Sequence, residues 1–170
     1  MQIRLATLND AHDIARVHVS SWQGAYRHIL PVEYLDSVSV APREAMWREA
    51  IARGTPEVWV IKTEAALAGF IAFGPCRDPD MFPSQAEVWA LYLSPSHWSL
   101  GYGRRLWLQA RERLIQQQYR RVSLWVLADN ARAIRFYRAA GFTPEILSSK
   151  PCELGDRTLH ELRWSVELTG

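Results

Sequence analysis

The chain has 170 residues, 48% of them hydrophobic, and a formal net charge of +2. That length can bury one sizeable core and is short for two domains. So mild a charge, with arginines interleaved among acids as in Arg111-Glu112-Arg113, argues against nucleic acid, where a basic face or stripe is expected. The N-terminus has no signal-type apolar run, and no stretch nears the ~20 apolar residues of a membrane span. Cys76 and Cys152 fit no metal or redox spacing, so free thiols in a reducing cytoplasm, without membrane or metal, are expected.

In chain order, Gln2 to Ala6 is predicted as a short strand. Asn9 or Asp10 then caps a helix whose buried face carries Ile14, Val17, His18, Ser21, Trp22 and Ala25. Leu30-Pro31 breaks the pattern, a short helical piece begins at Tyr34-Leu35, and Pro42 opens a further helix that runs to about Arg53. The period then changes to that of strands. Glu57 to Thr63 and Leu67 to Pro75 read as an antiparallel pair, and after a loop with Pro79 and Pro83 a third strand covers Ala86 to Leu93.

The second half alternates strand and helix. Gly103 to Gln118 is predicted helical with Leu106, Trp107, Ala110 and Leu114 inward, and Arg121 to Leu127 is a strand. A helix from Asn130 to Ala140 has Asn130 as its cap and Gly141 at its left-handed end, where Phe142 would pack back in a Schellman motif. Two further strands, about Thr143 to Ser149 and Thr158 to Leu168, flank a turn at Cys152 to Asp156.

The stretch Leu91 to Leu106 joins a strand end, a Ser-Pro-Ser break, the pair Gly101-x-Gly103 and a helix opening in Arg104 and Arg105. Glycines let backbone approach a ligand, and the first amides of a helix lack partners inside it, so the stretch reads either as an anion cradle or as an ordinary turn. Cations in a first helical turn oppose the macrodipole, which an anionic partner would relieve. A dinucleotide fingerprint would need a further glycine where Leu106 stands, and a Walker loop would need a G-K-[ST] that is absent. Asn130 and Tyr137, seven apart, share one helix face that a ligand could run along.

Taken together, strand, glycine turn, helix, strand and then N-x-x-A-x-x-F-Y-x-x-x-G-F make Glu87 through Phe142 resemble the GCN5-related N-acetyltransferase (GNAT) family. The likeness extends over the rest of the chain. It implies one α/β domain over residues 1–170, with a mixed, mostly antiparallel sheet of about six or seven strands and about four helices. It implies acetyl-coenzyme A as co-substrate, bound in a gap between the strands ending at Leu93 and Leu127. Pantetheine would pair with backbone at Leu91, Tyr92 and Leu93, and pyrophosphate would sit on Ser99, Leu100, Gly101, Tyr102, Gly103 and Arg104. Asn130 would contact the coenzyme and Tyr137 would lie near its sulfur. The family usually has Arg or Gln where this chain has Trp98.

The implied activity is acetyl transfer to a primary amine, small or peptide, by direct attack on the thioester. Tyr137 would be the general acid, and an N–H within Leu91 to Leu93, with Tyr92 favoured, would be the oxyanion donor. Glu87 is the candidate base. In a regular strand it shares a face with Trp89, Leu91 and Leu93, a bulge would move it to the other face, and otherwise it is a solvated carboxylate. The acceptor pocket would draw on Trp22, Tyr26 and Arg27, though the helical spacing of Trp22 reads more as core than as ligand contact. The alternative is a non-catalytic sensor that only binds coenzyme A. Monomer and homodimer both remain open.

Overall fold

The structure is a computed structural model that describes residues 1–169. Eight strands form a single sheet, β1 (Gln2–Leu5), β2 (Glu57–Lys62), β3 (Leu67–Pro75), β4 (Gln85–Leu93), β5 (Arg121–Leu127), β6 (Thr143–Pro144), β7 (Lys150–Leu154) and β8 (Arg157–Glu167), in the order β1-β2-β3-β4-β5-β8-β6 with β7 also on β8. Every pairing is antiparallel except β4 with β5. The helices are α1 (Ala11–Ala25), α2 (Val32–Ser37), α3 (Val40–Arg53), α4 (Tyr102–Gln116) and α5 (Ala131–Ala139).

Alternation along the strands sends side chains to two faces. One face carries Ile71, Phe73, Val88, Val122 and Leu124 beneath α4, whose Leu106, Trp107, Ala110 and Leu114 are buried as their spacing predicts. Phe142 joins this core just beyond α5. The opposite face carries Val58, Val60, Phe70 and Ala72 beneath α1 and α3, with Ile14, Val17, Trp47 and Ala50. A third cluster forms where the end of α1 and α2 meet the β7–β8 hairpin, around Tyr26, Leu30, Leu35 and Leu127. Fully burying such side chains contributes about 1.5–3 kcal/mol each.

The tail departs from its predicted form. The strand expected from Thr143 to Ser149 is only Thr143–Pro144, followed by a 3-10 turn at Ile146–Ser148. Pro144 has no N–H for the ladder, and beyond it the Ser148 hydroxyl accepts the Arg163 N–H at 2.9 Å in place of a strand carbonyl. The chain then re-enters the sheet as β7, through residues expected to be a turn, and Gly155 at φ 63° makes the actual turn. This split brings the count to eight, above the six or seven expected, within the same architecture.

Candidate functional site

The site originates in a disagreement between β4 and its two neighbours. β4 pairs with β5 only at Gln85, Ala86 and Glu87, and from there the two parallel strands separate. On its other side the register with β3 shifts between Ala72 and Phe73, where Ala90 and Val88 are the partners and Trp89 is the extra residue. This β-bulge reverses the parity of the strand. Ala86 and Val88 face α4, yet so do Leu91 and Leu93, while Ala90 and Tyr92 face α1. Glu87, between Ala86 and Val88, therefore lies on the α1 face with Tyr92 and away from Leu91 and Leu93, which corrects the regular-strand expectation.

The bulge also orients the backbone. Ser94 N–H donates to Ala68 of β3 at 2.9 Å, so by alternation Tyr92 also points its backbone toward β3, and the N–H and C=O groups of Leu91 and Leu93 point into the gap. The backbone of Tyr92, favoured from sequence as the donor, is thus turned toward β3 and not into the gap. Gly69 permits this arrangement. A Cβ there would lie 2.2 Å from Leu93 Cδ2 and 2.7 Å from the Tyr92 carbonyl oxygen.

The gap opens into a cavity of about 830 Å³, lined by β4 from Glu87 to Leu93, by Leu124 to Leu127 of β5, by Trp22 of α1 and Tyr26 just past its end, and by Asn130, Phe136 and Tyr137. Asn130 caps α5 as predicted, its Oδ1 accepting the Ala133 N–H at 3.1 Å, which leaves its amide NH2 free of that bond. The far end of α5 is a complete Schellman motif. Gly141 stands at φ 95°, Gly141 N–H donates to Arg138 and Phe142 N–H to Tyr137 at 3.0 Å, and the Phe142 ring packs 5.6 Å from that of Tyr137. That lock fixes Tyr137 against the core. Burial pushes the Tyr137 hydroxyl above the ordinary range for a phenol, so it stays protonated. Burial does the same to Tyr26 and Tyr92.

The glycine loop has the features of an anion cradle. Ser99 and Gly101 take positive φ, 62° and 81°, and Gly101 is the N-cap of α4. Among the described residues no amide from Ser99 to Arg104 donates to a backbone carbonyl, and the first helical bond is Arg105 N–H to Gly101. Of this loop Ser99 and Gly103 line the cavity, whereas Leu100, Gly101, Tyr102 and Arg104 lie beyond its lining. Gly103 favours a close approach, because a Cβ there would lie 3.2 Å from Phe136 and 3.3 Å from Leu93, and those side chains would have to give slightly.

Glu87 is 2% exposed and lines the cavity in the grip of Arg77. It accepts from Arg77 N–H at 3.0 Å, Nε at 3.1 Å and Nη2 at 2.6 Å, while the same guanidinium lies 4.1 Å over the Trp89 ring. The solvated-carboxylate expectation therefore fails. Trp22 and Tyr26 reach the cavity, and Arg27 does not, since α1 has ended and Arg27 is exposed in the following turn. Trp22 Nε1 is buried without an acceptor in bonding geometry among the described residues. His18 is a core residue, its Nδ1 accepting from Trp47 Nε1 at 3.1 Å.

Sequence reasoning missed several wall residues, namely Asp78, Trp125, Lys150, Cys152 and Glu161. The first comes from the loop before β4 and the rest from strands distant in sequence, so no local spacing links them. Trp125 Nε1 donates to Asp78 and Lys150 lies 3.7 Å over the Trp125 ring. Among the described residues no group of His, Cys, Asp and Glu is arranged to hold a metal, and no helix is long and apolar enough to cross a membrane.

Comparison with known proteins agrees with this geometry. Residues 21–142 match the Acetyltransferase (GNAT) family. The uncharacterized N-acetyltransferase YuaI of Bacillus subtilis (strain 168) is 33% identical over 161 residues, covering 94% of this chain and 89% of YuaI. Among solved structures, a ribosomal-protein-alanine N-acetyltransferase from Brucella melitensis is similar with a TM-score of 0.74 at 22% identity, over 99% of this chain and 100% of that one. The putative acetyltransferase yncA from Salmonella typhimurium, solved with its cofactor acetyl-CoA, has a TM-score of 0.75 at 23% identity, over 100% and 95% of the two chains.

Proposed function

The chain belongs to the acetyltransferase (GNAT) family, and from that premise we propose that it is a single-domain N-acetyltransferase moving acetyl from acetyl-CoA to a primary amine. The observation that carries the reading is the separation of β4 from β5. It leaves the backbone of Leu91 and Leu93 facing a cavity whose opposite wall holds the partly buried, protonated Tyr137. An extended amide-bearing arm could pair with that strand edge, and its phosphates could meet the free amides of Ser99 to Arg104.

In this reading the acceptor nitrogen, once neutral, attacks the thioester carbonyl carbon, a C–N bond forms and the C–S bond breaks. The Leu91 N–H, the first to face the gap beyond the bulge, stabilises the oxyanion, while Leu93 pairs with pantetheine. Tyr137 supplies the proton to the leaving thiolate, and the proton that the acylated nitrogen then sheds restores the Tyr137 hydroxyl. Glu87 takes the ammonium proton through water. Its carboxylate retains one acceptor position beyond the three bonds from Arg77. Trp22 and Tyr26 form the wall on the acceptor side.

The test is release of free thiol from acetyl-CoA with small amines and short peptides side by side. Turnover with any amine that is lost in Tyr137→Phe, with coenzyme binding intact, supports the enzyme. Tight coenzyme binding without transfer to any amine would instead favour a sensor, the reading for which the engagement of Glu87 by Arg77 speaks.

A further inference from the structure

Trp98 occupies a position where a polar or cationic side chain would be useful to a phosphate loop, and its own N–H is committed. Trp98 Nε1 donates to the Leu93 carbonyl at 3.0 Å. On one side the ring is pressed against α1, where a Cβ added at Gly24 would lie 2.8 Å from Trp98 Cη2. On the other side the Arg132 guanidinium lies 4.2 Å over the ring centroid. Trp98 thus bridges from α1 to the first turn of α5 directly before the Ser99 amide, and both Trp98 and Arg132 line the cavity.

Arg132 has no carboxylate partner among the described residues, nor has Arg135 one turn further along the same face. Neither α4 nor α5 has an acid in its first turn, and both begin with arginines, Arg104 and Arg105 in one and Arg132 in the other. A cation there is disfavoured by the helix macrodipole, so an arginine in the first turn of α5 that lines the cavity without a carboxylate partner among the described residues suits an anionic occupant. Stacking on an indole leaves the edge of a guanidinium, with its N–H donors, free to bind in the ring plane.

We infer that Arg132, carried on the Trp98 indole, is the side-chain cation for the coenzyme's pyrophosphate. This rests on the acetyl-CoA reading above and goes further, because it assigns the charge missing from the loop to a different helix. Trp98 is the platform that holds the guanidinium toward the loop, and its bond to Leu93 ties that platform to the strand end. Arg132 is exposed, so its substitution leaves the core intact.

The test is calorimetric binding of coenzyme A, dephospho-coenzyme A and pantetheine to the wild type, Arg132→Gln, Trp98→Leu and the double variant. Arg132→Gln is expected to weaken coenzyme A and dephospho-coenzyme A alike, by about 10- to 100-fold for a lost charge-assisted contact, and to leave pantetheine unchanged. Trp98→Leu is expected to weaken the phosphate-bearing ligands in the wild-type background and to add little once Arg132 is gone. Unchanged affinity in Arg132→Gln, a loss confined to coenzyme A and so to its 3′-phosphate, or an equal loss for pantetheine would each overturn the assignment. So would a Trp98→Leu effect of equal size in both backgrounds. A wild type that binds none of the three would remove the coenzyme reading itself.

Discussion

Arg77 holds Glu87 through three donors, one backbone and two guanidinium, at 2.6–3.1 Å. The carboxylate is 3% exposed and the guanidinium side chain 53%, so water screens one partner and hardly reaches the other. Such a pair is asymmetric in its energetics. Truncating Arg77 strands a buried charge, while neutralising Glu87 releases an arginine into solvent. Arg77→Met should therefore destabilise the fold by about 1–3 kcal/mol, after allowing for screening on the exposed side. Glu87→Gln added to Arg77→Met should recover part of that loss. Urea denaturation of the two single variants and the double closes the cycle, and a double variant less stable than Arg77→Met would refute the stranded-charge argument.

Tyr137 carries a separable prediction. Its ring is fixed by the Schellman turn and by Phe142, so Tyr137→Phe removes only the hydroxyl. The turnover number should fall by about 10²-fold or more, as for loss of a general acid, with the dissociation constant for coenzyme A changed less than about threefold. Turnover at the wild-type rate would move the acid to another group.

Local chemistry made most of this site legible. The α5 cap at Asn130, the stop at Gly141 and the return of Phe142 are each set by residues within a few positions, and all three form as the sequence predicts. The amide cradle before α4 is equally local. What the sequence withheld lies in relations between strands. The bulge at Trp89 depends on how β4 meets β3, and it alone decides whether Glu87 shares a face with Leu91 or with Tyr92. The Arg77 clamp needs the loop before β4 to fold back on that strand, and the stack of Arg132 on Trp98 joins the first turn of α5 to the loop before α4. The tail departs from its expected strand for a related reason, since a serine hydroxyl replaces a ladder carbonyl at Arg163.

Gly69 gives a test of the strand end. A methyl there would overlap Leu93 Cδ2, which can rotate, and the Tyr92 carbonyl oxygen at 2.7 Å, which can move only with the backbone. Gly69→Ala should destabilise the protein by about 2–3 kcal/mol, the scale of overpacking. It should also weaken coenzyme binding, because the displaced segment is the one whose N–H groups face the gap. A thermal midpoint and coenzyme affinity both equal to wild type would mean that β4 accommodates the methyl without shifting Leu93.

His18 sets a pH dependence. It is buried on α1 facing α3 and β4, accepts from Trp47 Nε1 and stacks on Tyr92 with centroids 4.9 Å apart at 15°. Burial, helped by the positive charge of Arg43, lowers its pKa from 6.5 to about 4. The unfolded chain therefore binds a proton between these values that the folded chain refuses, so stability falls as pH drops from about 6.5 toward 4 and is fully present above that window. The full shift corresponds to roughly 3 kcal/mol. Asp10 acts lower. Burial raises its pKa, but the bonds and charge of Arg4 lower it further, so its contribution is lost only below the ordinary carboxylate range. His18→Gln offers Trp47 an amide acceptor without a titrating ring. Its unfolding free energy should be flatter than that of the wild type between pH 7 and 4, and parallel profiles would place the proton uptake elsewhere.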